Sequence, residues 1–437
     1  MLIISLVIIA IYLILVVRAK STSQFISLLV GIFWALFFLI PYLFTRHFFP
    51  KNFHNYQDLG ITFFTFLIFL SDYYFYKKSS NHENISIASN LIKKNRLIDH
   101  FLIPIVIIFI FLHYYLFGIP VLHLFDNKFN IAEARKLFGN LTGLTQIFFY
   151  VSNLLLNFIA PMILFYLFAL KKYLKLTILG IFVFFYAFSS TAKLPVISLL
   201  IVTFVSFLLL KLSLKNIKRI LTVFLICTSS FVVFGLQMTS TVESASSSTK
   251  STPYVVFLDT PSDKLRDEGN FFTNSPNKFI KYMLYRSVYM PIEVSNRWYV
   301  YYQAENKPKR SIVKVISINE NPKASNLVGI WAYYERFPEH YAPYINANAS
   351  IDAEAFSFGN LWWLCIFPIC YLILRLSIET VRNSQIHFFK FLGTLGIIHL
   401  GLTIYQSSLL AILIAQGFWI FPILAFSKYR LINRNLM

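Results

Sequence analysis

Apolar residues gather in eleven runs, at 2–17, 25–44, 60–76, 101–119, 146–170, 176–189, 195–212, 220–236, 356–376, 388–404 and 407–426. A helix needs about 20 mostly apolar residues to cross a bilayer. The pattern therefore predicts an all-α polytopic membrane protein of about 11 transmembrane helices, the sixth of them short. Between runs eight and nine lies the one long polar interval, which divides the chain into a bundle of about eight spans (1–236), a large and partly helical loop (237–355) and a bundle of about three spans (356–437). The first run has no basic segment before it and no small-residue cleavage site after it, which predicts a retained first span rather than a signal peptide. The serine- and threonine-rich stretch 239–252 predicts a flexible exit from the eighth span.

Composition agrees with this plan. The 437 residues are 57% hydrophobic, 18% aromatic and 13% charged, with a mean hydropathy of +0.63, too apolar for a soluble globular chain. The formal charge of +20 would suit a nucleic-acid binder, but the basic residues fall between the apolar runs rather than on one folded segment. Lys and Arg are enriched in cytoplasmic loops of membrane proteins. With the N-terminus outside, the inner connections hold 20 of the 39 basic residues, Arg375 and Arg382 among them; the short outer ones hold six and the long interval 13. That bias predicts an external loop and a cytoplasmic C-terminus. Cys227, Cys365 and Cys370 each lie in or beside an apolar run and are expected to pack as small hydrophobes.

Candidate chemistry lies mainly in the polar interval. On a helix, Arg286, Glu293 and Arg297, at offsets of 7 and 11 residues, return to within about 20° of one face. Pro291 between them predicts a kink or a break. Two guanidiniums on one face suit a diphosphate, because each offers a planar fork of donors and keeps its charge. The same residues would also serve to pair with Glu293 or to touch lipid headgroups. Lys193, in the tight turn 189–195, is a second cation beside hydrocarbon, which either snorkels or meets an anion. At the end of the interval Asn348, Ser350 or Asp352 is expected to cap the ninth span, leaving Asp352 or Glu354 as a candidate general base. His340 is a further candidate for that role. The aromatic stretches around Trp298–Tyr302 and 331–344 suit the membrane interface and equally suit stacking on sugar rings. No phosphate-binding Gly-rich loop, HExxH, CxxC pair or GxSxG elbow is present.

Three segments resemble those of a known family. Arg286, Pro291 and Trp298-Tyr299-Val300-Tyr301-Tyr302 resemble the Arg…Pro…Tyr-Tyr segment in the large periplasmic loop of bacterial oligosaccharide repeat-unit polymerases, the Wzy or O-antigen polymerase family. Asn346-Ala347-Asn348, followed by Asp352, Glu354 and Phe358-Gly359, is similar to the run with which those proteins enter the next span. Ser190-Thr191-Ala192-Lys193 is similar to their small-residue and basic turn, although the family often has Arg where this chain has Lys193. The resemblance implies a multi-pass glycosyltransferase of the bacterial inner membrane, active at the periplasmic face, that polymerises undecaprenyl-diphosphate-linked oligosaccharide repeats into O-antigen or capsule. It implies that Arg286, Arg297, Lys193, Asn346, Asn348 and Tyr301 hold the diphosphate and glycan, and that Glu293, Asp352, Glu354 or His340 handles the proton. It implies no cofactor and no metal, membrane lipid as surroundings, and a flippase and a chain-length regulator as partners. A lipid-linked oligosaccharide flippase or transporter, disfavoured because the spans look nearly free of ionisable residues, and an O-antigen ligase sharing the same donor remain the alternatives.

Overall fold

A computed structural model of the chain describes residues 2–19, 22–39, 42–43, 54–79, 101–117, 143–189, 199, 290–303, 309–311, 313, 327–329, 350–359, 361–384, 387–404, 407 and 409–434. Among the described residues the structure is helical and contains no strand. The helices are α1 (Leu2–Arg18), α2 (Thr22–Trp34, widening into a π turn at Ala35–Leu39), α3 (His54–Lys78) and α4 (Ile103–Phe117). They continue with α5 (Gly143–Leu154), which passes through a π turn at Leu155–Ile159 into α6 (Ala160–Ala169), and α7 (Tyr173–Ser189). After the long interval come α8 (Met290–Gln303), α9 (Ile351–Ser357), α10 (Leu361–Arg382), α11 (His387–Thr403), a π turn at Ala411–Ala415 and α12 (Ile420–Arg434).

Among the described residues two stretches are long and apolar enough to cross a membrane, Gln57–Lys78 and Tyr150–Ala169, and five shorter apolar helices accompany them. The apolar residues are not all inside. On α3 the exposed side chains Leu59, Phe63, Phe66, Leu70 and Tyr74 form a stripe at the spacing of one helical face, while Ile61, Phe64 and Ile68 face the core. Exposed apolar stripes recur at Ile366, Ile369, Ile373 and Leu376 of α10 and at Leu174, Ile178, Ile181 and Phe185 of α7. Contiguous exposed apolar surface on this scale marks contact with a membrane or a partner.

Among the described residues two apolar clusters are the largest. In the larger, α2 packs on α3 and α11, and α10 packs on α11, α12 and α3, around Trp34, Phe64, Tyr371, Leu395 and Phe418. The smaller gathers α4, α6 and α7 around Val106, Ile163 and Val183.

Two expectations change and one is not reached by the described residues. Runs 195–212 and 220–236 lie outside the described residues, apart from the buried Leu199. The last run is two segments, parted at Gln416 and Gly417. The helix of the ninth run, α10, does not end at 376. It continues to Arg382, because the charges in its last turns are buried and paired rather than solvated.

Those charges tie four helices together. Arg375 has no exposed surface and lies 2.7 Å from Glu379 and 3.5 Å from Asp72 of α3. Arg382 donates through Nε to Glu379 at 2.6 Å, through Nη1 to the Ser23 carbonyl and through Nη2 to the hydroxyls of Ser27 and Ser79. Asp72 Oδ2 accepts from the Tyr12 hydroxyl at 3.1 Å and from the Gly31 N–H at 2.9 Å. A Cβ at Gly31 would stand 1.9 Å from the Tyr12 hydroxyl oxygen, so only glycine lets α1, α2 and α3 meet there. Two arginines and two carboxylates leave the group neutral. Arg375 and Arg382 therefore do not belong with the loop cations that the charge count uses, and the spans are not free of ionisable residues.

Removing one partner of a buried pair leaves an uncompensated charge and costs about 3–5 kcal/mol. Arg375→Met is therefore expected to lower the unfolding midpoint sharply in detergent-solubilised protein. Adding Asp72→Leu to it is expected to recover much of the loss, since Glu379 keeps Arg382. A double variant no better than the single one would show that Asp72 and Arg375 are not coupled.

Candidate functional site

The helix α8 starts at Met290, so Pro291 falls in its first turn, where the missing N–H would have had no partner within the helix. From there the helix runs unbroken to Gln303, and the turn before Pro291, where the kink was expected, lies outside the described residues. Among the side chains described on it, every one from Pro291 to Tyr302 is buried, as expected of a helix packed on all sides. Val294, Trp298, Tyr299, Tyr301 and Tyr302 form a cluster with Val328 and with Ala353 of α9.

Helix α9 is a separate seven-residue element, not the start of the ninth span. It ends at Phe358 and Gly359, where Gly359 takes φ +89°, a conformation that glycine adopts at no steric cost. Ser350 stands at its N-cap position with extended backbone but does not cap it. Its hydroxyl instead lies 2.7 Å from the Ser295 hydroxyl of α8. Acidic side chains in a first turn suit the helix dipole, and α9 carries both Asp352 and Glu354 there.

The two carboxyls do different things. Asp352 is 3% exposed and accepts a hydrogen bond from the Tyr299 hydroxyl at 3.1 Å. Burial pushes its acid above the ordinary value of 3.8, against the hydrogen bonds from Ser350 and Tyr299. The same burial, with the Asp352 charge beside it, raises the Tyr299 phenol well above 10.0. Glu354 is already engaged. Its Oε1 lies 3.4 Å from Arg310, and its Oε2 accepts from the Leu410 N–H at 3.2 Å, just ahead of the π turn at Ala411–Ala415.

Around them the chain at 309–311 lies against the exit of α9. The Arg310 N–H donates to the Ser357 carbonyl at 3.1 Å, and its guanidinium sits 4.9 Å from the Phe358 ring and 5.6 Å from the Trp298 ring. Lys309 donates from Nζ to the Tyr302 carbonyl at 2.6 Å. Its ammonium lies 5.8 Å from the Tyr302 ring and 5.5 Å from the Phe356 ring.

Of the residues singled out from the sequence, Arg297 (2% exposed), Tyr301, Asp352 and Glu354 belong to this α8–α9 unit. Glu293 lies in the first turn of α8, but its side chain is outside the described residues, as are Arg286, Lys193, His340, Asn346 and Asn348. The Arg286–Glu293–Arg297 face is thus described only for Arg297. Among the described residues no three His, Cys, Asp or Glu gather as metal ligands. Sequence reasoning missed Lys309, Arg310 and Tyr299. Lys307-Pro308-Lys309-Arg310 reads along the chain as an ordinary charge run, and its only signal was that density of basic residues. It also missed the pairing of Arg375, Glu379 and Arg382, whose spacing of four and three residues was a legible sign. Comparison with protein-family models, curated proteins and solved structures finds nothing that matches this chain.

A carboxyl with a raised pKa holds its proton in the folded state at a pH where the unfolded chain has lost it. Stability from this group is full below the ordinary value near 3.8 and falls as pH rises through the elevated one. Asp352→Asn is expected to flatten that part of the pH–stability profile in thermal unfolding. An unchanged slope would mean that Asp352 titrates normally.

Proposed function

We propose that the protein is a multi-pass membrane glycosyltransferase of about eleven spans, with the 237–355 interval at the periplasmic face of a bacterial inner membrane. It would extend a polysaccharide by transferring a glycan from undecaprenyl diphosphate to the next lipid-linked repeat. The observation that carries this reading is the α8–α9 unit. Helices some fifty positions apart pack on one another there: Tyr301 shares an aromatic cluster with Ala353, Tyr299 bonds Asp352, and Arg297 and Glu354 lie buried on the same two helices.

In this chemistry Asp352 takes the proton of the acceptor hydroxyl as that oxygen bonds to the anomeric carbon of the donor. The bond from that carbon to the phosphate oxygen breaks, and its electron pair leaves with undecaprenyl diphosphate. Arg297 opposes the charge that develops there. Glu354, held by Arg310 and Leu410, positions the unit rather than acting as base. Asp352 is covered in this arrangement, so the Tyr299 hydrogen bond must open before an acceptor reaches it. The donor carries its own leaving group, and neither a nucleotide sugar nor ATP is required. A flippase would deliver the substrate and a chain-length regulator would act beside the enzyme.

A second reading, as a lipid-linked oligosaccharide flippase or another transporter, gains from two observations. Intramembrane charges and interrupted helices are marks of transport pathways. The Asp72–Arg375–Glu379–Arg382 group and the break at Gln416–Gly417 are features of those kinds. A ligase that moves finished glycan onto a lipid core shares the donor with the polymerase.

Deleting the gene and restoring it, with surface glycan resolved on a gel, separates these readings. A polymerase leaves single repeats on the lipid core and regains the ladder on complementation. A ligase leaves undecaprenyl-linked polymer that never reaches the core, and a transporter leaves no repeat at the surface. Complementation with Arg297→Ala is expected to yield membrane-inserted protein and no polymer. Polymer of normal length from that variant would overturn the role given to Arg297.

A further inference from the structure

The neighbouring cations Lys309 and Arg310 are fixed in place by several independent contacts. The Arg310 N–H is bonded to the Ser357 carbonyl, and the Lys309 stem crosses Gly359 so closely that a Cβ there would meet Lys309 Cγ at 2.5 Å. The ammonium and the guanidinium each lie beside two of the rings of Tyr302, Phe356, Trp298 and Phe358.

Fixation of this kind has a local use: the Tyr302 carbonyl belongs to the last turn of α8, where a lysine can satisfy a helix terminus. Capping uses one of the three donors that an ammonium carries. Lys309 is exposed and, among the described residues, has no carboxylate within ion-pair distance. Loss of hydration by its neighbours holds the ammonium below the ordinary lysine value. Charge in the unit is also unbalanced. Three cations, Arg297, Lys309 and Arg310, stand in the same unit as two carboxyls, Asp352 and Glu354.

We propose that Lys309, steadied beside Arg310 on the exit of α9, binds the diphosphate of the lipid-linked donor, with its two remaining N–H groups directed to phosphate oxygens. Lysine meets phosphate as a point charge and arginine as a fork, and a diphosphate offers enough oxygens for both. The rings flanking the two cations exclude water on one side, which strengthens each contact. Lys309 thus supplies charge, while Arg310 keeps its hold on Glu354 and orients the segment. The inference rests on the glycosyltransferase reading, and it adds a cation from a part of the interval that the family resemblance does not touch.

The test is binding of farnesyl diphosphate, a short prenyl diphosphate, to the full-length protein in nanodiscs of neutral lipid. Lys309→Met keeps the apolar stem over Gly359 and removes the charge, and Lys309→Arg restores it. Loss of a charge-assisted contact predicts binding weaker by about tenfold or more for Lys309→Met, with Lys309→Arg near the parent protein. Inorganic diphosphate is expected to compete; Lys309→Arg is expected to keep the parent's unfolding midpoint, and Lys309→Met to lower it only modestly, by the loss of the Tyr302 cap.

Equal affinity in the parent and Lys309→Met would overturn this inference and leave the glycosyltransferase reading intact. No binding of farnesyl diphosphate by the parent protein would count against that reading itself and remove this inference with it. Failure of inorganic diphosphate to compete would show that the prenyl chain is what is bound, and the inference would fall. So would Lys309-dependent binding to phosphatidylglycerol vesicles at the strength seen for the diphosphate, since the residue would then be a general headgroup contact.

Discussion

Arg375 is enclosed on every side by apolar helices, and its charge is tolerated there because Asp72 and Glu379 stand beside it. The cost of bringing an ion into such surroundings runs to several kcal/mol even after relaxation. The fold must therefore hold α3 and α10 in one register, or the penalty goes unanswered. The neighbouring contacts obey the same demand. Tyr12 and the Gly31 amide complete the shell of Asp72, and Ser23, Ser27 and Ser79 complete that of Arg382. Polar groups from α1, α2, α3 and α10 thus define one arrangement of four helices whose remaining contacts, being apolar, would accept several.

With α3 and α10 fixed, the opposite end of the molecule has a base to build on. Helix α9 leads into α10 through Gly359 and also packs on α3, and α8 packs on α9. Glu354 then links this unit to Leu410, at the head of the segment that holds the π turn Ala411–Ala415. A change at Glu354 would loosen Arg310 and free the head of that segment together. For this reason a functional defect from altering Glu354 would say little about proton transfer, whereas Asp352 has no comparable structural duty.

The apolar helices were legible because period and run length survive without knowledge of neighbours. Six of the candidate runs lie wholly or largely on the helices α1 to α7, and 388–404 coincides closely with α11. What composition could not give was the meaning of a charge. Arg375 and Arg382 read as loop residues because a cation ending an apolar run usually meets water; the nearby Glu379 was a local sign of pairing, but the second carboxylate of Arg375, Asp72, lies about three hundred positions away. The site was legible in part. Arg297, Tyr301, Asp352 and Glu354 were marked by residue type, but the division of labour between the two carboxyls depends on Tyr299, Arg310 and Leu410, contacts that no local pattern encodes. The break between α9 and α10 was missed because Phe358-Gly359 reads equally well as part of a continuing apolar helix.

The two ends differ in how their buried polar groups are met. At the inner network each charge has an opposite charge beside it. Near α8 and α9 some groups have no partner among the described residues. Gln57 has no exposure and neither amide atom makes a hydrogen bond, and Asn296 Oδ1 is likewise unmet. Gln57 lies one turn before Ile61, and Asn296 one turn after Ile292. Ile61 and Ile292 share a core cluster with Ile351 of α9. A buried polar atom left unmet costs about 1–3 kcal/mol, a cost that Arg375 Nε also carries in the inner network. On the proposed reading the cost has a use. Sites that must hydrogen-bond a substrate's hydroxyls discriminate strongly against ligands that lack them, and a glycan presents many hydroxyls to two amides and a carboxyl. The closed arrangement of α8 and α9 is then a resting state, stable because the inner network holds its base and incomplete until a polar ligand enters.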